Sequence, residues 1–122
     1  MKNILITGSA GYLGRRLTDA LRRRDDIGNI VGIDIQAPAA PADGITFYKK
    51  DIRDPDIGEI LSRHSINVVF HLAFVVKPIH DTKRMHDVDV NGSRNILESA
   101  LSAHASHVIV TSSTLAYGAH PD

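Results

Sequence analysis

The stretch Thr7-Gly8-Ser9-Ala10-Gly11-Tyr12-Leu13-Gly14 follows directly on the apolar run Ile4-Leu5-Ile6. A strand-like segment passing through glycines into a helix-like one is the setting in which a glycine-rich turn cradles a phosphate. Glycine meets three needs there: a tight turn, close approach of a pyrophosphate, and contact between helix and strand. The helix N-terminus then presents unpaired N–H groups and a partial positive charge to the ligand. The spacing is Gly8-x-x-Gly11-x-x-Gly14, not the Gly-x-Gly-x-x-Gly of the commonest dinucleotide fingerprint. Because a plain strand-to-helix turn also uses a glycine or two, the motif draws its weight from its neighbours. The strand before it and Asp34 at the end of the next strand point to nucleotide binding.

Outward from this turn, apolar runs recur with helical stretches between them. They are Ile4–Ile6, Ile30–Ile33, Val68–Phe70 with Leu72, and Val108–Val110, with a weaker run at Ile45–Tyr48. Continuous β-branched runs suit strands buried on both faces of a parallel sheet. Between the first two, Leu13, Leu17, Ala20, Leu21 and Arg24 repeat at helical spacing, with Arg15, Arg16, Asp19, Arg22 and Arg23 opposite. The run Arg22-Arg23-Arg24 fits a helix C-terminus, where positive charge is favourable. Residues 36–44, rich in Ala and Pro, read as a loop. Asp54-Pro55 reads as N-cap and first position of a helix that carries Ile57, Ile60 and Leu61 inward. A longer helix is expected over residues 81–103, using Met85, Val88, Ile96, Leu97, Ala100 and Leu101. The alternation predicts an α/β fold with a doubly wound parallel sheet.

Composition sets the limits on function. At 122 residues the chain is one domain with room for a core. Hydrophobic residues make up 43% and charged ones 23%, the balance of a soluble globular protein. Fourteen basic and fourteen acidic side chains cancel, which argues against nucleic acid or a membrane surface as partner. The absence of cysteine excludes a disulfide framework and thiolate metal sites. No apolar run is long enough to span a bilayer, and the cytoplasm is the expected location. His104 and His107 stand three apart without an acidic partner at ligand spacing, so no metal site is expected.

With these pieces in order, the chain resembles the extended short-chain dehydrogenase/reductases, specifically their NAD-dependent epimerase/dehydratase group. The likeness spans nearly the whole chain and rests on ordered motifs. The glycine turn looks like the family's phosphate turn, with Gly8, Gly11, Tyr12, Leu13 and Gly14 at the cofactor. Asp34 looks like its ribose-binding acid, and Asp51-Ile52-Arg53-Asp54 like its adenine-contacting segment. His71-Leu72-Ala73 looks like the strand end beside the cofactor, and Asn91-Gly92 with Asn95 like part of its long helix. Thr111-Ser112-Ser113 and Tyr117-Gly118 look like the strand that carries the catalytic serine and its exit turn. The resemblance implies a Rossmann-type sheet, NAD as cofactor, a small-molecule substrate such as a nucleotide sugar, and a homodimer at full length.

Each implied role has a plainer alternative. Asp34, twenty positions beyond Gly14, can accept from both ribose hydroxyls and repel a 2′-phosphate, which favours NAD over NADP; it can also be a turn or cap residue. In the family reading the Asp51 carboxylate meets the adenine amino group while Ile52 packs on the ring; locally Asp51 also reads as a turn residue. Leu72, Ala73 and Phe74 would line the middle and nicotinamide portions of the cofactor. Phe74 departs from the family, where a small residue is commoner: either the substrate side is narrower or Phe74 packs away. Asn91 is a poor mid-helix residue without a tertiary partner, so it either bonds near the cofactor or serves the structure. Ser113 would hydrogen-bond the reacting oxygen, with Ser112 and Thr114 as neighbours able to do so or to cap a turn.

The family's Tyr-x-x-x-Lys pair, in which the lysine lowers the pKa of the proton-transferring tyrosine, has no match here. Four residues after Tyr12, Tyr48 and Tyr117 stand Arg16, Ile52 and Pro121. The expectation is the N-terminal, cofactor-binding part of an oxidoreductase, truncated after the fifth strand and inactive by itself. A non-catalytic NAD(P)-binding sensor or scaffold is the alternative.

Overall fold

Ile4, Leu5 and Ile6 alternate between two cores, because successive side chains of a strand point to opposite faces. In the computed structural model, which describes residues 1–38, 44–72 and 87–110 (87–89 by backbone alone), five parallel strands carry these cores. They are β1 (Lys2–Thr7), β2 (Ile27–Asp34), β3 (Ile45–Lys49), β4 (Val68–His71) and β5 (His107–Val110). Their spatial order is β3-β2-β1-β4-β5. The chain therefore winds one way from β1 and then resumes on its other side at β4, a doubly wound Rossmann-type arrangement. The switch in direction falls between β1 and β4, and open α/β sheets bind ligands outside the carboxyl ends of such strands.

Register brings those ends together. Thr7 pairs with Ile33 on one side and His71 on the other, and Asp34 pairs with Lys49. Helix α1 (Tyr12–Arg22) joins β1 to β2, and α2 (Ile57–Arg63) joins β3 to β4. A six-residue π-helical turn, Asp87–Gly92, runs into α3 (Ser93–Ser102), which leads to β5. One face of the sheet packs Leu5, Val31, Ile33 and Val69 against Ile57, Ile60 and Leu61 of α2 and Ile96 and Ala100 of α3. The other packs Ile4, Ile6, Ile30 and Val68 against Leu21 and Leu17 of α1. Each fully buried Val, Leu or Ile among them stabilises the fold by about 1.5–3 kcal/mol through removal from water.

Several helical expectations need correction. The buried stripe of α1 is Gly14, Thr18 and Leu21, while Leu13 and Ala20 are exposed and Leu17 is half-buried. The helix must lie close to the turn, so a glycine and a small hydroxyl residue occupy its inner line. Thr18 meets its own polar need by donating to Gly14 O at 2.8 Å. Arg24 falls beyond the helix and pairs with exposed Asp26. Helix α2 begins at Ile57, not Pro55, although the Asp54 carboxylate does accept the Asp56 N–H at 2.8 Å. In α3 the inward line is Ile96, Ser99 and Ala100; Leu97 and Leu101, each one residue round from it, face solvent. Met85 lies outside the described residues, as do the rest of 81–86 and the side chain of Val88 in the expected helix.

Candidate cofactor site

Gly8 carries φ +71°, a left-handed conformation that an L side chain resists, and this turns the chain off β1. The Gly8 N–H donates to Ile33 O at 2.8 Å and the Gly11 N–H to Gly8 O at 3.1 Å, closing the turn against β2. The Arg15 N–H then reaches Gly11 O at 2.9 Å as α1 starts. A Cβ added to Gly14 would overlap Gly8 O and stand 2.7 Å from Ser9 Cα, so this glycine lets the helix close on the turn. At Gly11 a Cβ would come no nearer than 3.4 Å to Gly8 O. That position tolerates a Cβ sterically, and Gly11 stands as the N-cap of α1. Tyr12 and Leu13 are exposed at the mouth of the turn, with the Arg16 guanidinium over the Tyr12 ring.

Asp34 sits at the carboxyl end of β2 and faces this turn. One carboxylate oxygen accepts the Ala10 N–H at 3.0 Å and the other the Gln36 N–H at 3.0 Å. A carboxylate has about four lone-pair sites, so acceptor capacity remains on both oxygens. The sequence spacing placed Asp34 near the turn; its bond to Ala10 came only with the fold.

The segment after β3 is a second polar cluster. Arg53 donates Nε and Nη2 to the two oxygens of Asp51 at 2.9 and 2.7 Å, and its backbone N–H reaches Oδ1 at 2.9 Å. Ile52 is buried, and its side chain fills the space over Gly92, where a Cβ would stand 2.6 Å from Ile52 Cγ1. Its side chain thus serves the core. Asn95 of α3 holds the segment in place, its Nδ2 donating to Ile52 O and Asp54 O, each at 2.8 Å. Asn91 is exposed and lies in the π-helical turn instead of in an α-helix.

On the other side of β1, toward β4, lies an arrangement that periodicity does not reveal. Thr7 and His71, side by side at the ends of β1 and β4, are both fully buried. Thr7 Oγ1 is 2.7 Å from His71 Nδ1 and accepts the Leu72 N–H at 3.0 Å, while His71 Nε2 is 2.9 Å from Ser93 Oγ. Burial pushes the His71 pKa down to about 4, so the ring is neutral at ordinary pH. The available signal was polar residues closing otherwise apolar buried strands.

Leu72 is half-buried beside this group. Ala73 and Phe74, the expected neighbours of the cofactor, lie outside the described residues, as do Ser112, Ser113, Thr114 and Tyr117. Among the described residues no group of three or more His, Asp or Glu side chains could hold a metal ion, and no helix is long and apolar enough to cross a membrane.

Known proteins resemble this chain in sequence and fold. The model of the NAD dependent epimerase/dehydratase family matches residues 4–122. A UDP-glucose 4-epimerase of Mycolicibacterium smegmatis is 33% identical over 120 residues, covering 89% of this chain and 38% of that enzyme. A D-erythronate dehydrogenase of Cupriavidus necator is 33% identical over 130 residues, covering 95% of this chain and 40% of that enzyme. The chain thus spans about two-fifths of the length of these relatives. The crystal structure of UDP-glucose 4-epimerase from Thermotoga maritima with UDP-glucose superposes with a TM-score of 0.81 at 26% identity, over 90% of this chain and 37% of that one. A matching family model over almost the full chain, on a sheet that switches direction beside a glycine turn and an acid-ended second strand, means that this chain belongs to the NAD-dependent epimerase/dehydratase family.

Proposed function

We propose that this chain forms the cofactor-binding part of an NAD-dependent, nucleotide-sugar epimerase/dehydratase-like oxidoreductase that works by hydride transfer at a carbinol carbon. The observation that carries the reading is the Asp34 carboxylate bonded to Ala10 N–H at 3.0 Å, which supports ribose recognition beside a phosphate-binding turn. NAD is the cofactor of the family, and these residues fit it. Gly14 removes the side chain that would hold the helix off the turn, and Gly11 leaves backbone open for a pyrophosphate. Asp34 then accepts the ribose hydroxyls and repels a 2′-phosphate.

Further along the site, Asp51 shares its acceptor capacity between Arg53 and the adenine amino group, while Ile52 supports that segment from the core. Leu72, with Ala73 and Phe74, lines the middle of the cofactor, and Asn91 bonds beside it. Ser113 positions the reacting substrate oxygen. NAD when bound supplies the hydride acceptor and donor. Residues 1–122 contain no Tyr-x-x-x-Lys, so we assign them binding without turnover. The UDP-glucose named with the Thermotoga maritima structure supports a nucleotide sugar as substrate. The equal identity to D-erythronate dehydrogenase favours, as second reading, dehydrogenation of a sugar acid. A cytoplasmic homodimer is the setting we assign to the whole protein.

Titration of NAD and NADP into the protein and its Asp34→Ala variant tests this. Wild type should prefer NAD, and the variant should lose most of that preference. Equal affinity for both cofactors in wild type, or an unchanged ratio in the variant, would overturn the assignment of Asp34. NAD binding with no turnover by any longer product of the gene would favour the sensor reading.

A further inference from the structure

The buried histidine at the switch between β1 and β4 has no part in the chemistry described so far. We infer that His71 is a positioning residue that locks the phosphate turn to the adenine-side segment through two sets of hydrogen bonds joined by the first turn of α3. The inference rests on the reading of this site as one for NAD.

Thr7, the residue next to Gly8, meets His71 Nδ1 through its hydroxyl at 2.7 Å. His71 Nε2 meets the hydroxyl of Ser93, the first residue of α3, at 2.9 Å. Two residues along α3, Asn95 holds Ile52 O and Asp54 O at 2.8 Å each, flanking the segment that begins with Asp51. The path runs from the turn that would hold the phosphates to β4 and back, by way of the start of α3, to the loop that would hold the adenine. A neutral imidazole suits the central position. Hydroxyls on both sides can donate or accept, so either tautomer satisfies both ring nitrogens. The ring is fully buried, and an apolar side chain of similar size would fill its space while breaking both bonds. Helix α3 joins the sheet next to Thr7 and His71 by this polar contact, whereas its apolar contacts lie further along, at Ile96 and Ala100. Packing therefore holds the helix to the sheet, and the histidine sets where its first turn stands relative to the phosphate turn.

The test uses His71→Leu, His71→Gln and Ser93→Ala. Gln carries an amide near the place of Nε2 and should restore the link to Ser93; Ser93→Ala cuts that link with little change in volume. NAD affinity is measured by calorimetry well below each melting temperature, alongside backbone amide NMR spectra without ligand. We expect NAD affinity to fall about tenfold in His71→Leu and about two- to tenfold in Ser93→Ala, the size of one lost hydrogen bond. His71→Gln should recover part of the loss. Without ligand, amide shifts in both His71→Leu and Ser93→Ala should extend to residues 51–54, which do not include a partner of the imidazole. Shifts confined to Thr7, Leu72 and Ser93 with unchanged affinity would overturn the inference. Should His71→Leu fail to fold, the Ser93→Ala result decides in the same two ways. Failure of wild type to bind NAD would refute the proposed function alone, and the ligand-free spectra would still decide whether His71 couples the two segments.

Discussion

Gly14 and Gly11 stand three apart in the same turn, yet the structure assigns them opposite sensitivities. A methyl group at Gly14 would overlap Gly8 O and stand 2.7 Å from Ser9 Cα and 2.9 Å from Ser9 C, all backbone atoms. Carbon contacts settle near 3.5–4 Å, so helix and turn must part by about 1 Å. That shift weakens the Gly11 N–H to Gly8 O bond, 3.1 Å in the native turn, at a cost of about 1 kcal/mol. Overpacking adds about 1–3 kcal/mol. Against this, alanine in place of glycine gains up to about 1 kcal/mol in a helix, and less in the first turn, where Gly14 lies. Gly14→Ala should therefore lose about 1–4 kcal/mol, a fall in Tm of roughly 4–15 °C for a chain of this size. Its NAD affinity should fall too, because the turn's amides move.

Gly11 instead has φ −76° and ψ 174°, extended backbone open to any residue, with a free approach for a Cβ. Gly11→Val should keep Tm within a few degrees, the change expected of a poorer N-cap, and still lose at least about tenfold in NAD affinity. Thermal melts and NAD calorimetry on both variants separate the two roles. A Gly14→Ala protein as stable as wild type would refute the steric argument. A Gly11→Val protein that unfolds would show that this glycine serves packing.

Two further outcomes follow from buried or half-buried polar groups. Asn95→Ala frees Ile52 O and Asp54 O at once, and should cost about 1–2 kcal/mol in denaturant unfolding; Asn95→Asp, which sets an acceptor against both carbonyls, should be worse, and equal stability of the Asp variant would contradict the assigned bonds. His71 titrates near 4 in the fold against 6.5 when unfolded, so between these values the unfolded chain binds more protons. Its contribution is then fully present above about pH 6.5 and fades as pH falls towards 4, amounting to about 2 kcal/mol lost by pH 5. Comparing denaturant midpoints at pH 7 and pH 5 for wild type and His71→Leu isolates this share, and identical pH dependence of the two would contradict it.

The inner strands were legible in the sequence because burial on both faces of a parallel sheet leaves an uninterrupted apolar run, and the less buried outer strands β3 and β5 carry such runs too. Ile4–Ile6 and Ile30–Ile33 lie inside β1 and β2, and Ile45–Tyr48, Val68–Phe70 and Val108–Val110 inside the other three. The glycine turn and Asp34 were legible for a related reason: backbone close approach demands glycine, and a strand of fixed length sets the spacing of the acid. Helical faces were less so. Leu13, Leu97 and Leu101 look as apolar as their buried neighbours, and their exposure follows from how each helix is rotated against the sheet. Sequence alone determined the order of elements, the glycine turn and the acid that faces it, since these depend on local backbone chemistry. Tertiary structure decided the bond from Asp34 to Ala10, the burial of Ile52 over Gly92, and the Thr7–His71–Ser93 bridge. Those contacts join residues 22 to 64 positions apart in the chain, and their partners are chosen only when the parallel register brings the strand ends side by side.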